Sequence, residues 1–528
     1  MPWKRLLLAL LTVMMGCSEP ERLELFDRPL NIDAPVALRK HVAFLNRSLE
    51  EVFLICAEQE ELAFDHIPVG REPVSLVATP DLNRLAVLSR RDKTLTLIDM
   101  VEPPEHRVYQ LESAFDAISF SPDSNYAIVY YDPNINRPSD VLFNPDEYAV
   151  IDFTQSAAGP IASRALRGLG ATPSQVHYVP PFELSDEGGL ERYAMFIFDS
   201  YVTFADLRDP SFEVTVFLDL SGTPQAIIPR EVLFTQSEKL PALQDSFVYI
   251  LAHNQDSIYV IQLLPSSAQG TKVRLAPRVG ILDSGKEPSD IDTFVGPDGR
   301  EKLLSVNAQS RTLTLNDAAG EYAVYVPLEN AGNRILIYDA MNATTGSVEP
   351  HAMVYSEHTG SDKVAFVRLS ELEQRKGQAI SNLAVGAAVD RVLPSPIDGQ
   401  VVISYQAGAG LALLDLEKQA YSPLSAKLSM TDLEVDHGGL RLFASLSGSN
   451  KLNIVNLSNA RPRALPLDFP ITQLVFLPQS QSLIALHDSN LGLLTALAID
   501  AADSTLPQRA RARMYSGFFL NQLTELGQ

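Results

Sequence analysis

EPVSLVATPDLNRLAVLSRRDKTLTLID, running from Glu72 to Asp99, contains three short apolar runs separated by polar turns. Leu76, Val77 and Ala78 end at the turn Thr79-Pro80-Asp81-Leu82-Asn83. Leu85 to Leu88 follow, then the polar break Ser89 to Lys93, then Leu95, Leu97 and Ile98 alternating with Thr94 and Thr96. Each run has the length of a strand and is too short for a helix, and each break carries turn-forming residues. Three strands joined by tight turns make a meander, which cannot bury both faces by itself. Recurrence of the pattern therefore implies a stack or ring of small sheets.

The pattern recurs. Residues 115–123, FDAISFSPD, repeat PVSLVATPD of residues 73–81 at a distance of 42 residues. Further units open at Pro173, Pro224, Pro288, Arg334, Val389, Leu433 and Pro470, which makes nine units counted from Glu72. Their mean spacing of about 50 residues fits an array of small antiparallel sheets. The Thr-, Val- and Tyr-rich runs argue against helical repeats. The fold class expected is all-β, a β-propeller of four-stranded blades, seven to nine in number. Ring closure has two candidates: strands 52–57 and 62–69 completing the sheet begun by 470–497, or the tail Met514 to Leu520 doing so.

The motif P-x-x-[apolar]-x-x-[S/T]-P-D, followed by an apolar strand, a polar turn and a T-L-T-L-I-D strand, resembles the YVTN and WD40-like propeller repeats. The likeness is sharpest at 72–99 and 115–131, good at 388–416 and 429–457, and covers most of 60–498 in looser form. The Trp-Asp ending of WD40 blades is missing, since the only tryptophan is Trp3, and insertions interrupt 131–146, 182–191 and 232–245. The resemblance implies a ring of four-stranded blades, commonly seven or eight.

The N-terminus reads as a targeting segment. Lys4 and Arg5 precede an apolar run from Leu6 to Met15, too short to span a bilayer, and Gly16-Cys17 follows directly. A small residue before cysteine at that place resembles the bacterial lipobox, with Met14 and Met15 departing from its preferred Leu and small residue. The resemblance implies a signal peptide over 1–16 and lipidation of Cys17, and Ser18 in place of Asp implies the outer membrane. Residues 17–40, with Pro20, Pro29 and Pro35, read as a tether. The propeller then occupies 41–510, and 511–528 form a tail. Once Cys17 is acylated, Cys56 has no disulfide partner and reads as core.

A charge of -23 argues against a nucleic-acid partner and against a basic face for anionic lipid. The chain lacks a G-x-S-x-G elbow, an H-E-x-x-H zinc helix and a C-x-x-C pair, so no catalytic residue and no cofactor site stands out. Gly280 to Lys286 has Walker A spacing, but Glu287 occupies the place of the Mg²⁺-binding hydroxyl. Asp132, Asn134, Asn136 and Asp140 offer alternating oxygens of the kind that ligate Ca²⁺, although Arg137 stands where the loop's glycine belongs. Asx residues beside prolines equally form turns. These observations lead to the expectation of a lipid-anchored, extracytoplasmic, non-catalytic scaffold. Its partner is another envelope protein or a glycan, with specificity on loops such as 131–146 and 232–245. The alternative is a propeller enzyme, lactonase-like or quinone-dependent dehydrogenase-like, with its site in the central channel.

Overall fold

The structure, a computed structural model, describes residues 31–58, 61–135, 137, 143–154, 161–166, 170–183, 190–218, 227–235, 246–253, 255–266, 273–317, 322–341, 346–357, 360–406, 410–424, 430–436, 438, 440–446, 448–490, 492–499, 512–520 and 524–526. Ten antiparallel sheets follow one another along the chain. They span 36–68, 73–110, 117–165, 175–217, 229–283, 288–327, 334–384, 389–423, 430–466 and 471–526, and are called blades 1 to 10 here. Nine have four strands in the meander and blade 10 has five; blade 4 carries an added hairpin, Phe182–Glu183 with Leu190–Glu191.

The repeated motif builds the turn between the first and second strands. In blade 2 the Thr79 hydroxyl donates to Asp81 Oδ1 at 2.5 Å, and Arg84 N donates back to Thr79 Oγ1 at 3.1 Å. Asn83 reaches the other Asp81 oxygen at 3.0 Å, while Leu82 takes φ 57°. Ser121, Asp123, Asn125 and Ser124 reproduce this arrangement in blade 3, with 2.7 Å for the hydroxyl contact and φ 59° at Ser124. Short polar side chains thus satisfy backbone groups that a tight turn leaves without ladder partners.

First strands of consecutive blades touch one another, for example Pro288–Val295 with Arg334–Met341 and Met430–Asp436 with Ile471–Leu477. Fourth strands such as Glu105–Gln110 and Ala420–Pro423 are mostly exposed. The first strand is therefore innermost and the fourth lies at the rim. Six inner strands carry a bulge after their first residue, at Pro73/Ser75, Pro229/Glu231, Pro288/Asp290, Val389/Arg391, Met430/Asp432 and Ile471/Gln473.

Ten apolar clusters fill the gaps between the sheets, each joining two neighbouring blades. One of them joins blade 10 to blade 1, packing Val475, Leu477 and Phe518 against Val42, Phe44 and Ile55. The ring is closed, and each fully buried side chain of this kind contributes roughly 1.5–3 kcal/mol.

The count of seven to nine blades is corrected to ten. Residues 36–68 form a complete sheet of their own instead of completing the last one. Its inner strand is only Val36–Ala37, inside the stretch read as a tether, and its second strand, His41–Asn46, precedes the runs used for counting. Residues 512–516 supply the fourth strand of blade 10 and 524–526 the fifth, so both ends of that sheet come from the same side of the chain. In blade 5 the inner strand is Pro229–Phe234, later than the opening at Pro224 and reaching into the stretch read as an insertion. Among the described residues, no helix is long and apolar enough to cross a membrane.

Candidate functional site

Among the described residues, ionisable side chains collect around the buried Lys302 of blade 6, on the inner wall at blades 5–7 and 9, and in a cleft between blades 2 and 3 on the face that carries their second-to-third-strand turns; the last two are the candidate sites.

On the inner wall, Asp290 and Asp292 stand on alternate residues of the blade 6 strand and so share one face. Asp290 Oδ2 accepts from Ile335 N of blade 7 at 2.6 Å, and Asp292 accepts from Ile337 N. Blade 9 repeats the device: Asp432 Oδ2 accepts from Leu474 N of blade 10 at 2.7 Å. Asp290 and Asp432 each follow the bulge of their strand. An inner strand has one edge with no neighbouring strand, and these carboxylates satisfy its amides from the next blade.

The same wall contains a proton-sharing pair. Glu231, after the bulge of blade 5, hydrogen-bonds Asp290. Burial raises both carboxyls above the usual carboxylate range, and the Asp290 charge raises Glu231 further, so the pair holds a proton between them. Arg334 lies 3.6 Å from Asp290 Oδ1 and 3.2 Å from Glu357 Oε2, which continues the chain of charge into blade 7. Burial pushes Asp292 up to about 6, and burial together with Asp432 pushes Glu434 up to about 7. A cavity of about 360 Å³ opens beside Asp292, Tyr338 and Asp339.

The cleft between blades 2 and 3 is larger, about 740 Å³, and is lined among others by Arg90, Arg91, Lys93, Tyr131, Arg137 and Phe143. Its first wall is the turn between the second and third strands of blade 2; the second is formed by Tyr131, Arg137, Phe143 and Asn144 of blade 3. Arg137 holds the second wall together. It meets Asp116 with Nε at 2.8 Å and Nη2 at 2.7 Å, and its guanidinium stacks 5.0 Å from the Tyr131 ring centroid and 4.8 Å from that of Phe143. Asp116 and Arg137 side chains are 0% and 9% exposed, so this is a buried, bidentate pair. Glu147 accepts from Ser113 Oγ at 2.6 Å on the floor.

The residues picked from sequence fare differently. Asp132 and Asn134 are together, but Asp132 Oδ1 already accepts from Asn134 N at 2.8 Å and from Asn134 Nδ2 at 3.0 Å, an Asx turn. Asn136 and Asp140 lie outside the described residues, as do Cys17 and the whole of 1–30. Among the described residues, no three His, Cys, Asp or Glu side chains converge as a metal site. Cys56 is buried on the third strand of blade 1. The Walker-spaced segment is an outer strand, Arg278–Asp283, entering a turn rather than a helix. The inner-wall acids were missed, although Asp290-Ile291-Asp292 and Asp432-Leu433-Glu434 break the apolar character that blade 2 shows at Ser75-Leu76-Val77.

Sheets, inner strands and closed interfaces define the chain as a ten-bladed β-propeller. No protein-family model matches the chain, and none of the curated proteins matches it in sequence. In structure it is similar to the dihydro-heme d1 dehydrogenase NirN in complex with DHE, at 12% identity over 83% of this chain and 74% of that one, TM-score 0.36. It is also similar to a eukaryotic initiation factor, at 11% identity over 89% and 94%, TM-score 0.41. A functionally unknown protein from Desulfotomaculum acetoxidans matches at 14% identity over 80% and 98%, TM-score 0.28. Likenesses this distant carry no information about activity.

Proposed function

We propose that the chain is a lipid-anchored, extracytoplasmic propeller of YVTN/WD40-like repeats that acts as a non-catalytic binding scaffold of the bacterial envelope. The observation that carries the reading is the contrast between its two charged regions. Inner-wall carboxylates are committed to amides of the neighbouring blade, at Ile335, Ile337 and Leu474. The cleft between blades 2 and 3 instead turns exposed cations and a ring toward solvent on a rigid support. Such a frame with decorated loops suits recognition. The Gly16-Cys17 start supports attachment to the membrane through lipid, with an envelope protein or glycan as partner.

The test combines palmitate labelling with membrane fractionation of the full chain and of C17A. The wild type is expected to take label and to sediment with outer membranes, with C17A unlabelled and released. An unlabelled, soluble wild type overturns the anchored reading.

A second reading, a channel enzyme of the lactonase or quinone-dehydrogenase kind, draws on Glu231 and Asp290, two hydrogen-bonded carboxyls that burial raises and that can share a proton. Turnover of a lactone panel or of a quinone-linked alcohol, lost in E231Q, would establish it in place of the scaffold.

A further inference from the structure

We propose that the cleft between blades 2 and 3 binds an acidic saccharide, one whose sugar rings carry carboxylates. This rests on the binding-scaffold reading and names the ligand class of its loop face.

Charge is the first argument. The cleft is lined by four cations, Arg90, Arg91, Lys93 and Arg137, and by two carboxylates, Glu72 and Glu147, in a chain whose net charge is -23. Arg90 is paired with Glu72, and Arg137 with Asp116. Arg91 and Lys93 are exposed, and neither joins a salt bridge with a described carboxylate. Lys93 Nζ rests on the Glu112 carbonyl at 3.0 Å, which aims an ammonium at the cleft without neutralising it. Arg91 has the Asp92 carboxylate beside it, itself bridged to Arg71, and Glu147 also lines the cleft, yet four cations against two lining carboxylates leave the site locally positive in an acidic protein.

The opposite wall supplies the second argument. Phe143 is 37% exposed, and its inner side is fixed by the Arg137 guanidinium and by Tyr131, whose ring centroid is 4.9 Å away. A ring held from behind by a buried ion pair is a preorganised platform, and a sugar's C–H face packs on such a surface at little entropic cost. Ser113 and Asn144 add hydroxyl and amide groups between the two walls. The volume of about 740 Å³ falls within the range of small-ligand clefts.

A peptide would be recognised through a free strand edge, through several apolar pockets, or, if acidic, through the same cations, and the oligoglutamate probe below separates this last case from the saccharide. The lining consists of turns and loop residues and offers one exposed ring, which favours the saccharide.

The experiment measures binding of the full chain in detergent to three probes by calorimetry: an oligogalacturonate, its fully methyl-esterified form, and an oligoglutamate of equal charge. Oligogalacturonate is expected to bind with an affinity that falls as salt rises, at least roughly tenfold tighter than the neutral ester and the peptide. R91S/K93S is expected to lose about tenfold or more, and F143L, which keeps the charge, roughly three- to tenfold. Equal binding of the ester, equal binding of the peptide, or indifference to F143L overturns the proposal. So does the absence of binding by all three probes. In that case a wild type that still takes palmitate and sediments with membranes leaves the scaffold reading standing, and only the ligand class falls.

Discussion

Replacing Glu434 by Gln tests the electrostatics of the inner wall. Glu434 is half-buried on the same face of its strand as Asp432, whose carboxylate is held by Leu433 N at 2.9 Å and Leu474 N at 2.7 Å. Burial first, and the Asp432 charge second, move Glu434 from 4.5 to about 7. Its folded-state affinity for a proton exceeds the unfolded one, so between those values the native state binds more protons. Stability from this group is complete below about pH 4.5 and is lost as pH rises through about 7. A shift from 4.5 to about 7 corresponds to a ceiling of about 3.4 kcal/mol. Solvent screening at a half-buried site lowers that to roughly 1–2 kcal/mol. Glutamine keeps the shape and has no charge to acquire. E434Q should therefore match the wild type at the acid end and exceed it by roughly 1–2 kcal/mol well above pH 7. Urea denaturation followed by far-ultraviolet circular dichroism at several pH values reads the difference; the only tryptophan, Trp3, lies outside the described residues and is no probe of the blades. Subtracting variant from wild type cancels the other carboxyls. A difference that stays flat across the window would refute the reasoning, because Glu434 would then titrate as an ordinary surface acid.

D432A removes the acceptor for Leu474 N and should cost about 1–3 kcal/mol; hydrogen exchange at the Leu474 amide should accelerate, and an unchanged rate would show that the contact does not protect it. R137A strands a fully buried Asp116 and should cost roughly 3–5 kcal/mol, whereas replacing both partners by apolar residues should cost less. Thermal unfolding of the single and double variants decides this, and an equal or larger loss in the double variant contradicts it. F518A empties the closing interface between blades 10 and 1, where Phe518 lies 5.2 Å from Phe44. The expected loss is about 3–5 kcal/mol, accompanied by new cleavage in blade 1 or blade 10 under limited proteolysis. A protease-resistant F518A would show that closure does not depend on this ring.

Blade architecture was legible where turn chemistry repeats. Thr79-Pro80-Asp81 and Ser121-Pro122-Asp123 use the same hydroxyl-to-carboxylate contact, so sequence similarity there reflects one backbone geometry. Blade 1 escaped the count because the turn between its first and second strands is only Leu38 to Lys40, closed by Leu38 N donating to the His41 carbonyl at 2.9 Å. No T-P-D marker is present, and a two-residue inner strand has no periodicity to read. The 131–146 insertion is visible in the sequence as an interruption of the repeat, but the meeting of Tyr131, Arg137 and Phe143 with Arg90 to Lys93 is a tertiary fact set by the spacing of neighbouring sheets. Inner-wall acids were visible as polar breaks in apolar strands. Their role was not, since an acceptor for a backbone amide one blade away leaves no mark on local pattern.

Closure by face-to-face packing, with no strand exchanged between the first and last sheets among the described residues, has a consequence for descent. In a ring latched by a shared sheet, duplication of one unit has to respect the split blade. Here each of the ten sheets is an uninterrupted length of chain. Copying or losing one unit in the gene adds or subtracts a whole sheet, and the joint between Phe44 and Phe518 stays within reach of the same two partners. Blade number is then a heritable variable that selection can adjust one unit at a time, and related chains should differ by entire blades more often than by fractions of one.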